Sequence, residues 1–345
     1  MQYVINIQEN IPNIVEFAKT KEWKMIPKKL KKGAHVRVIA PSRSLRIITD
    51  DCRKIARERL TEMGLRVSFG RYADEMDEFA SSEVEARLKD LHEAFADPSV
   101  DAILTAIGGF NVMELLSRID YQLIADNPKI LCGFSDITAL ANAIYARTGL
   151  VTYSGPHFSS FGMLKGIDYT IEYFNKCLFL KQPFSLTPAL EWADDPWFIN
   201  QEKRNFVKND GYWLIAPGKA EGRLIGGNLG LLDELKGTPY FPDIKDSILF
   251  LEHCAEHEVW TFNRNLTALC MHPDFATVKA VVFGRFEPEN KMDRQQLERI
   301  LKSKKELVGK TIIANVDFGH TTPIITFPIG GYCRIDDKKI ELTEF

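Results

Sequence analysis

The sequence predicts an α/β protein of two domains, the first built on a parallel sheet covered by helices. Three observations carry this. Between residues 35 and 153, short apolar β-type runs alternate with segments of helical spacing, the pattern of a parallel sheet with helical crossovers. A strand, a tight turn and a helix follow one another without a linker over residues 129–149. After residue 211 a second set of apolar strands appears, and the chain closes on antiparallel runs joined through Asp336-Asp337.

The elements follow in order. Residues 1–27 read as an N-terminal extension, with a short helix expected over Pro12 to Ala18 because proline suits a first helical position. The N-terminal domain is expected over 28–165. His35 to Ala40 is a strand, and Pro41-Ser42-Arg43-Ser44 is the loop at its carboxyl end. Asp50 or Asp51 caps a helix with apolar positions Cys52, Ile55, Ala56, Leu60 and Met63, stopped by Gly64. Leu65 to Phe69 is the second strand. Ser82 and Glu85 have the spacing of a capping box, ahead of a helix faced by Val84, Leu88, Leu91 and Phe95. Val100 to Ile107 is the third strand, ending in Gly108-Gly109-Phe110-Asn111, with Asn111 capping Val112 to Ile119.

Ile130 to Cys132 then forms a short buried strand, and Gly133-Phe134-Ser135-Asp136 turns the chain. Ile137, Leu140, Ala141 and Ile144 have helical spacing up to Gly149, a glycine helix stop. Ser135 therefore stands between a strand end and a helix start, the placement of a nucleophile elbow, although Ile137 occupies the position of the second glycine in G-x-S-x-G. The competing reading is an N-cap serine that serves only its helix. Leu150 to Tyr153 is a further strand. Ligands of parallel sheets bind at the carboxyl ends of strands, so Pro41-Ser42, Gly108 to Asn111 and Ser135 are expected around one crevice.

Residues 166–210 read as a linker doubling as a surface loop, with Trp192, Asp194, Asp195, Pro196 and Trp197 in a stretch of little period. The two tryptophans suit stacking on a flat substrate group or, equally, packing on the second domain. The C-terminal domain is expected over 211–345. It contains strands at Ala220 to Ile225, Ser247 to Leu251, Val278 to Phe283 and Thr311 to Val316. Helices are expected from Leu229 to Leu235 and from Arg294 to Leu307.

Glu252 and His320 stand at the ends of two of these strands. Ser135, Glu252 and His320 occur in the chain order of an α/β-type serine hydrolase. Serine is a weak nucleophile unless an imidazole takes its proton and a carboxylate holds that imidazole in the right tautomer. Taken singly, Glu252 also reads as a rim carboxylate paired to Arg264, and His320 as a loop histidine. A metal alternative is His253-Cys254-Ala255-Glu256-His257, which matches the H-x-x-E-H zinc-peptidase pattern. A third possibility is a binding protein that keeps the crevice without the chemistry.

Composition narrows the classes. With 345 residues, 45% hydrophobic and 26% charged, the chain has material for sizeable cores. A net charge of −3 argues against nucleic acid as a main partner. Six cysteines in a chain this long do not make a disulfide framework. No run of 18 apolar residues is present, so no membrane span is expected, and the first residues lack the pattern of a secretory signal. A reduced, cytoplasmic protein is the expectation.

Six segments together resemble one family. They are Ile39-Ala40-Pro41-Ser42, Ile107 to Asn111, Gly133 to Thr138, Ile225 to Leu229, Leu249 to Glu252, and Phe318-Gly319-His320. In this order the chain resembles the LD-carboxypeptidases of serine peptidase family S66, and within them the microcin C self-immunity branch. The resemblance implies a Ser-Glu-His triad at Ser135, Glu252 and His320. It implies an oxyanion hole made by the backbone N–H groups of Gly109 and Asp136. Substrate contacts are implied at Phe110, Asn111, Trp192, Trp197, Asn228 and Glu287. It further implies an N-terminal domain like that of class I glutamine amidotransferases, a smaller β-rich C-terminal domain, and a cytoplasmic homodimer with no metal or organic cofactor. Its substrates are murein tetrapeptides that lose a terminal D-alanine, or aminoacyl-nucleotides of the processed microcin type.

Overall fold

The computed structural model describes residues 24–254 and 259–345. The expected helix over Pro12 to Ala18, and Glu256 and His257 of the zinc pattern, lie outside the described residues.

The first sheet contains strands β1 (His35–Ile39), β2 (Arg66–Phe69), β3 (Ala102–Thr105), β4 (Ile130–Gly133) and β5 (Thr152–Ser154), in the order β5-β4-β3-β1-β2, all parallel. Its helices are α1 (Asp50–Glu62), α2 (Val84–Ala96), α3 (Tyr121–Asp126) and α4 (Ile137–Thr148). Side chains alternate across the sheet. Ile39, Ile103 and Leu131 enter one buried cluster, with Leu91, Phe95 and Leu140 from the helices. Val38, Leu104 and Cys132 enter a second, larger cluster on the other face. Both faces are therefore covered, as a parallel sheet requires.

Strands β6 (Phe184–Leu186), β7 (Glu191–Trp192), β8 (Val207–Lys208), β9 (Trp213–Ala216), β10 (Lys219–Asn228), β11 (Ile248–Glu252), β12 (Ala280–Gly284), β13 (Thr311–Val316), β14 (Phe327–Ile329), β15 (Tyr332–Asp336) and β16 (Lys339–Glu344) complete the chain. The second sheet runs β6-β16-β15-β10-β11-β12-β13-β9, with a parallel centre from β10 to β13 and antiparallel flanks. Helices α6 (Leu229–Glu234), α7 (Val259–Cys270) and α8 (Arg294–Lys302) belong to this half. Strand β14 leaves it and pairs antiparallel with β5, joining the first sheet.

Several local expectations are corrected. The cap of α1 is Thr49, whose side chain accepts from the Cys52 N–H; Asp50 and Asp51 sit in the first turn, where their charge suits the helix dipole. No capping box forms at Ser82, because Glu83 opens α2 without a side-chain cap bond. Instead the Ser82 carbonyl is taken by the buried Arg87. Asn111 caps nothing with its side chain; a 3₁₀ stretch, Val112–Arg118, follows it. The segment expected as a linker contains α5 (Asp168–Leu178), with Tyr173, Phe174, Cys177 and Leu178 buried, and the strand β6, which extends the second sheet.

The two halves meet along α4. The Asn142 side chain donates to the Gly226 carbonyl at 3.0 Å, and Thr138 Oγ1 accepts from the Asn228 N–H at 2.9 Å. Gly227 has φ +126°, and a Cβ there would lie 2.5 Å from Thr138 Oγ1. Only glycine lets β10 approach the helix that follows Ser135 this closely.

Candidate active site

Ser135 ends the turn between β4 and α4 with φ +59°, a left-handed conformation unusual for a residue with a side chain. That twist lifts its hydroxyl off the helix. The helix cap is Asp136, so the N-cap reading of Ser135 is overturned. Ser135 Oγ instead lies 3.0 Å from His320 Nε2, and His320 Nδ1 lies 2.9 Å from Glu252 Oε2. Residues 185 and 68 positions apart along the chain are thus brought into one line.

Glu252 closes β11 and is 6% exposed, so the alternative of a rim carboxylate paired to Arg264 gives way to a buried carboxylate facing His320. Burial alone pushes its pKa up. The charge and hydrogen bond of His320, with the amide of Asn228, outweigh burial and hold the carboxyl below its usual range. Asn228 is Glu252's register partner across β10 and β11. Gly319 lets the His320 loop come close: it has φ +111°, and a Cβ there would lie 3.3 Å from Glu252 Cβ.

The side expected to hold an oxyanion is equally built. The Gly108 carbonyl accepts from the backbone N–H of Arg43 and from Arg43 Nε, both at 3.3 Å. A trans peptide then points the Gly109 N–H the opposite way. Among the described residues neither the Gly109 N–H nor the Asp136 N–H has an acceptor. A Cβ on Gly108 would lie 2.9 Å from Ser135 Cβ, so this loop presses against the serine. The Asp136 carboxylate, 2% exposed, turns from its own helix. It accepts from Ser42 Oγ at 2.5 Å and from the Val112 N–H at 3.0 Å. Burial raises its pKa against the pull of these donors. Arg87 adds a second tie, donating to the carbonyls of Pro41 at 3.2 Å and Asn111 at 2.8 Å. The three loops expected to share a crevice are bound to one another.

The residues expected to meet substrate divide. Phe110 is 70% exposed beside Gly109, with Asn111 half-buried next to it. Glu287 is half-buried at the carboxyl end of β12. Trp192 is half-buried and stacks on the guanidinium of Arg285 at 5.1 Å, while Arg285 pairs with the buried Asp317 at 2.7 Å. Trp197 packs against the main core cluster, which is built from both halves of the chain. Asn228 lines a small cavity that also touches Ser135 and Glu252. It is 2% exposed, and its Oδ1 accepts from the N–H groups of Gly230 and Leu231 to cap α6.

Two neighbours of the site were not singled out as site residues from the sequence. His157, 2% exposed, bonds Thr105 Oγ1 through Nδ1 at 2.7 Å and stacks on Phe134 at 4.3 Å; the same ring meets His320 edge-on. Burial, helped by His320 and Arg43, pushes its pKa down to about 3, so it stays neutral. Its only signal was its place just after β5, at a strand's carboxyl end like the other loops. Asp194 is held beside His320 because Ala193 and Thr322 exchange backbone hydrogen bonds of 2.8 and 2.9 Å. Burial, then Glu289 and Asp195, raise its pKa to about 6.

A cavity of about 10 Å³, the size of one water, lies behind the triad between Ser135, Ser154, Asn228 and Glu252. A larger groove of about 820 Å³ runs along α1 and contains none of these residues. Among the described residues no group of three or more His, Cys, Asp or Glu is placed to hold a metal, and no helix is long and apolar enough to cross a membrane.

A serine, an imidazole and a carboxylate in line, beside two free N–H groups, define a site of hydrolase type. The family comparison agrees: residues 36–155 match the LD-carboxypeptidase N-terminal domain and residues 221–335 its C-terminal domain. The chain belongs to the LD-carboxypeptidase family and is a peptidase. It is 49% identical to YocD of Bacillus subtilis, which bears the name carboxypeptidase, over 90% of this chain and 96% of that one. It is 34% identical to a protein of the same organism named as a murein peptide carboxypeptidase, over 91% and 92%. It is 32% identical to the microcin C7 self-immunity protein MccF of Escherichia coli, over 83% and 86%. Among solved structures, an MccF-like protein from Bacillus anthracis superposes with a TM-score of 0.92 at 49% identity, covering 93% of this chain and all of that one. MccF in complex with aspartyl sulfamoyl adenosine superposes with a TM-score of 0.85 at 30% identity, covering 93% and 99%.

Proposed function

We propose that this chain is a serine-type hydrolase that cleaves an amide bond in a small peptide or an aminoacyl-nucleotide. The observation that carries the reading is the line from Ser135 Oγ through His320 to Glu252, at 3.0 and 2.9 Å. Ser135 Oγ attacks the carbonyl carbon while His320 Nε2 takes its proton. The carbonyl oxygen becomes an oxyanion held by the N–H groups of Gly109 and Asp136. Collapse breaks the C–N bond, and His320 returns the proton to the leaving nitrogen. Water then repeats the sequence on the acyl-Ser135 ester and releases the acid. Glu252 keeps the His320 Nδ1 proton in place and stabilises the imidazolium that forms in each half.

The substrate classes are supported by the relatives, one named for murein peptide and one solved with an aspartyl nucleotide analogue. A cytoplasmic homodimer goes with this reading; sedimentation equilibrium and cell fractionation test it. The decisive assay presents a murein tetrapeptide and aspartyl sulfamoyl adenosine to the wild type and to Ser135→Ala. The wild type turns over at least one of them, and the variant loses about 10³-fold or more. Undiminished turnover by Ser135→Ala overturns the reading. So does stoichiometric binding of both compounds with cleavage of neither.

A further inference from the structure

We propose that Arg43 is a specificity-determining residue that binds an anionic group attached to the leaving side of the scissile amide. The inference rests on the hydrolase reading above and deepens it. Arg43 lies in the loop after β1, where its backbone N–H and its Nε both donate to the Gly108 carbonyl. The side chain is thereby fixed against the Gly108–Gly109 peptide. A Cβ on Gly109 would lie 2.6 Å from Arg43 Cγ, so the two residues are in contact.

The guanidinium is half-buried, and among the described residues no carboxylate lies within ion-pair distance of it. Arg53 is matched with Asp74, Arg87 with Glu114, Arg204 with Asp195 and Arg285 with Asp317, whereas Arg59 and Arg147, also half-buried, have no ion pair among the described residues. Its carbon lies 5.9 Å from the ring centroid of Phe110, and that ring is itself 70% exposed. A partly desolvated guanidinium with two unused N–H₂ groups is suited to carboxylate or phosphoryl oxygens, which it binds bidentately. Its charge also reaches into the site, since it contributes to keeping His157 neutral.

The segment beside His320 has the other sign, with Asp194 near His320 and Glu289 in its field. An anion on the substrate is repelled from that segment and drawn to Arg43. With the carbonyl oxygen between the Gly109 and Asp136 N–H groups, the substituent on the leaving nitrogen lies two bonds from the carbonyl carbon. A C-terminal residue carries its carboxylate two bonds from that nitrogen, and a phosphoramidate carries its phosphoryl group one bond away. Both sources share one chemistry, an anion next to the departing nitrogen.

The test uses the full chain carrying Ser135→Ala, so that binding is read without turnover. Calorimetry measures the murein tetrapeptide with its free terminal carboxylate, the same peptide as its neutral C-terminal amide, and an aspartyl phosphoramidate of adenosine. Arg43→Met is then added to the Ser135→Ala chain. The acid, the phosphoramidate or both should bind roughly tenfold or more weakly, as expected for loss of a charged hydrogen-bonded pair, with the amide unchanged. Loss for the acid alone assigns a carboxylate, and loss for the phosphoramidate alone assigns a phosphoryl group. Should Arg43→Met fail to fold, Arg43→Gln is measured in its place. Equal binding of acid and amide before the change, with none of the three ligands affected by it, overturns the proposal. Persisting turnover in Ser135→Ala would refute the hydrolase reading instead, and the binding comparison would still stand.

Discussion

Gly109→Ala is the most informative single perturbation of the oxyanion side. Gly109 has φ +153°, a conformation that a side chain disfavours by roughly 1–3 kcal/mol. The added methyl would lie 2.5 Å from Ser42 Oγ and 2.6 Å from Arg43 Cγ. Ser42 is fully buried and bonded to Asp136, so it has no free direction in which to yield. Contacts this short fall roughly 1 Å inside ordinary carbon–carbon spacing, and the loop itself must shift by a comparable amount. A donor displaced that far no longer reaches the oxyanion, and loss of one such donor costs about 10²–10³ in kcat. The assay is steady-state hydrolysis of the preferred substrate together with thermal unfolding. The expected result is a kcat lower by that factor, a KM changed far less, and a chain still folded at the assay temperature. A folded Gly109→Ala protein with kcat within threefold of the wild type would refute the placement of the hole.

Further outcomes follow from the same geometry. Glu252→Gln keeps the shape but removes the charge that stabilises the His320 imidazolium; kcat should fall by about 10³–10⁴ with binding retained, as measured by pre-steady-state kinetics. Asp136→Asn and Ser42→Ala each loosen the tie between the two donor loops, and each should lower kcat about tenfold or more with a smaller effect on KM. Arg285→Met leaves Asp317 buried without its cation, and chemical denaturation should show a loss of about 3–5 kcal/mol. Asp194 has a folded pKa raised to about 6, so the folded state binds its proton more tightly than the unfolded state does. Its contribution to stability is therefore full below the ordinary aspartate pKa and is lost as pH rises through about 6. Melting temperatures of wild type and Asp194→Asn across this window should diverge with that sign.

Local patterns carried the reading where the chain is locally organised. The run from Ile130 to Gly149 showed its strand, turn and helix because period and glycine stop lie within twenty residues of one another. Glu252 and His320 were found at the ends of apolar runs, where a polar residue stands out. Caps were less legible: Thr49 rather than Asp50 faces the first turn of α1, and the choice depends on how the preceding loop enters. Helix α5 had a readable face at Thr170, Tyr173, Phe174, Cys177 and Leu178, but neighbouring tryptophans and prolines drew the segment toward a loop reading. The burial of Asn228 between α6 and Glu252 depends on the pairing of β10 with β11, which no local pattern shows. No local pattern places His157 beside Ser135 or leaves Arg43 without an acid, since both follow from how separate strands end at one edge of the sheet.

Everything proposed for the site depends on the Ser135 hydroxyl being the nucleophile, activated across the two halves of the chain. Treating the wild type with an active-site fluorophosphonate and mapping the product by peptide mass spectrometry tests it most directly. One phosphonyl group per chain is expected, on the peptide containing Ser135, formed in step with loss of hydrolysis and strongly slowed in His320→Ala. Full hydrolytic activity in a chain completely modified at Ser135, or inactivation by modification at another residue with Ser135 untouched, would contradict it.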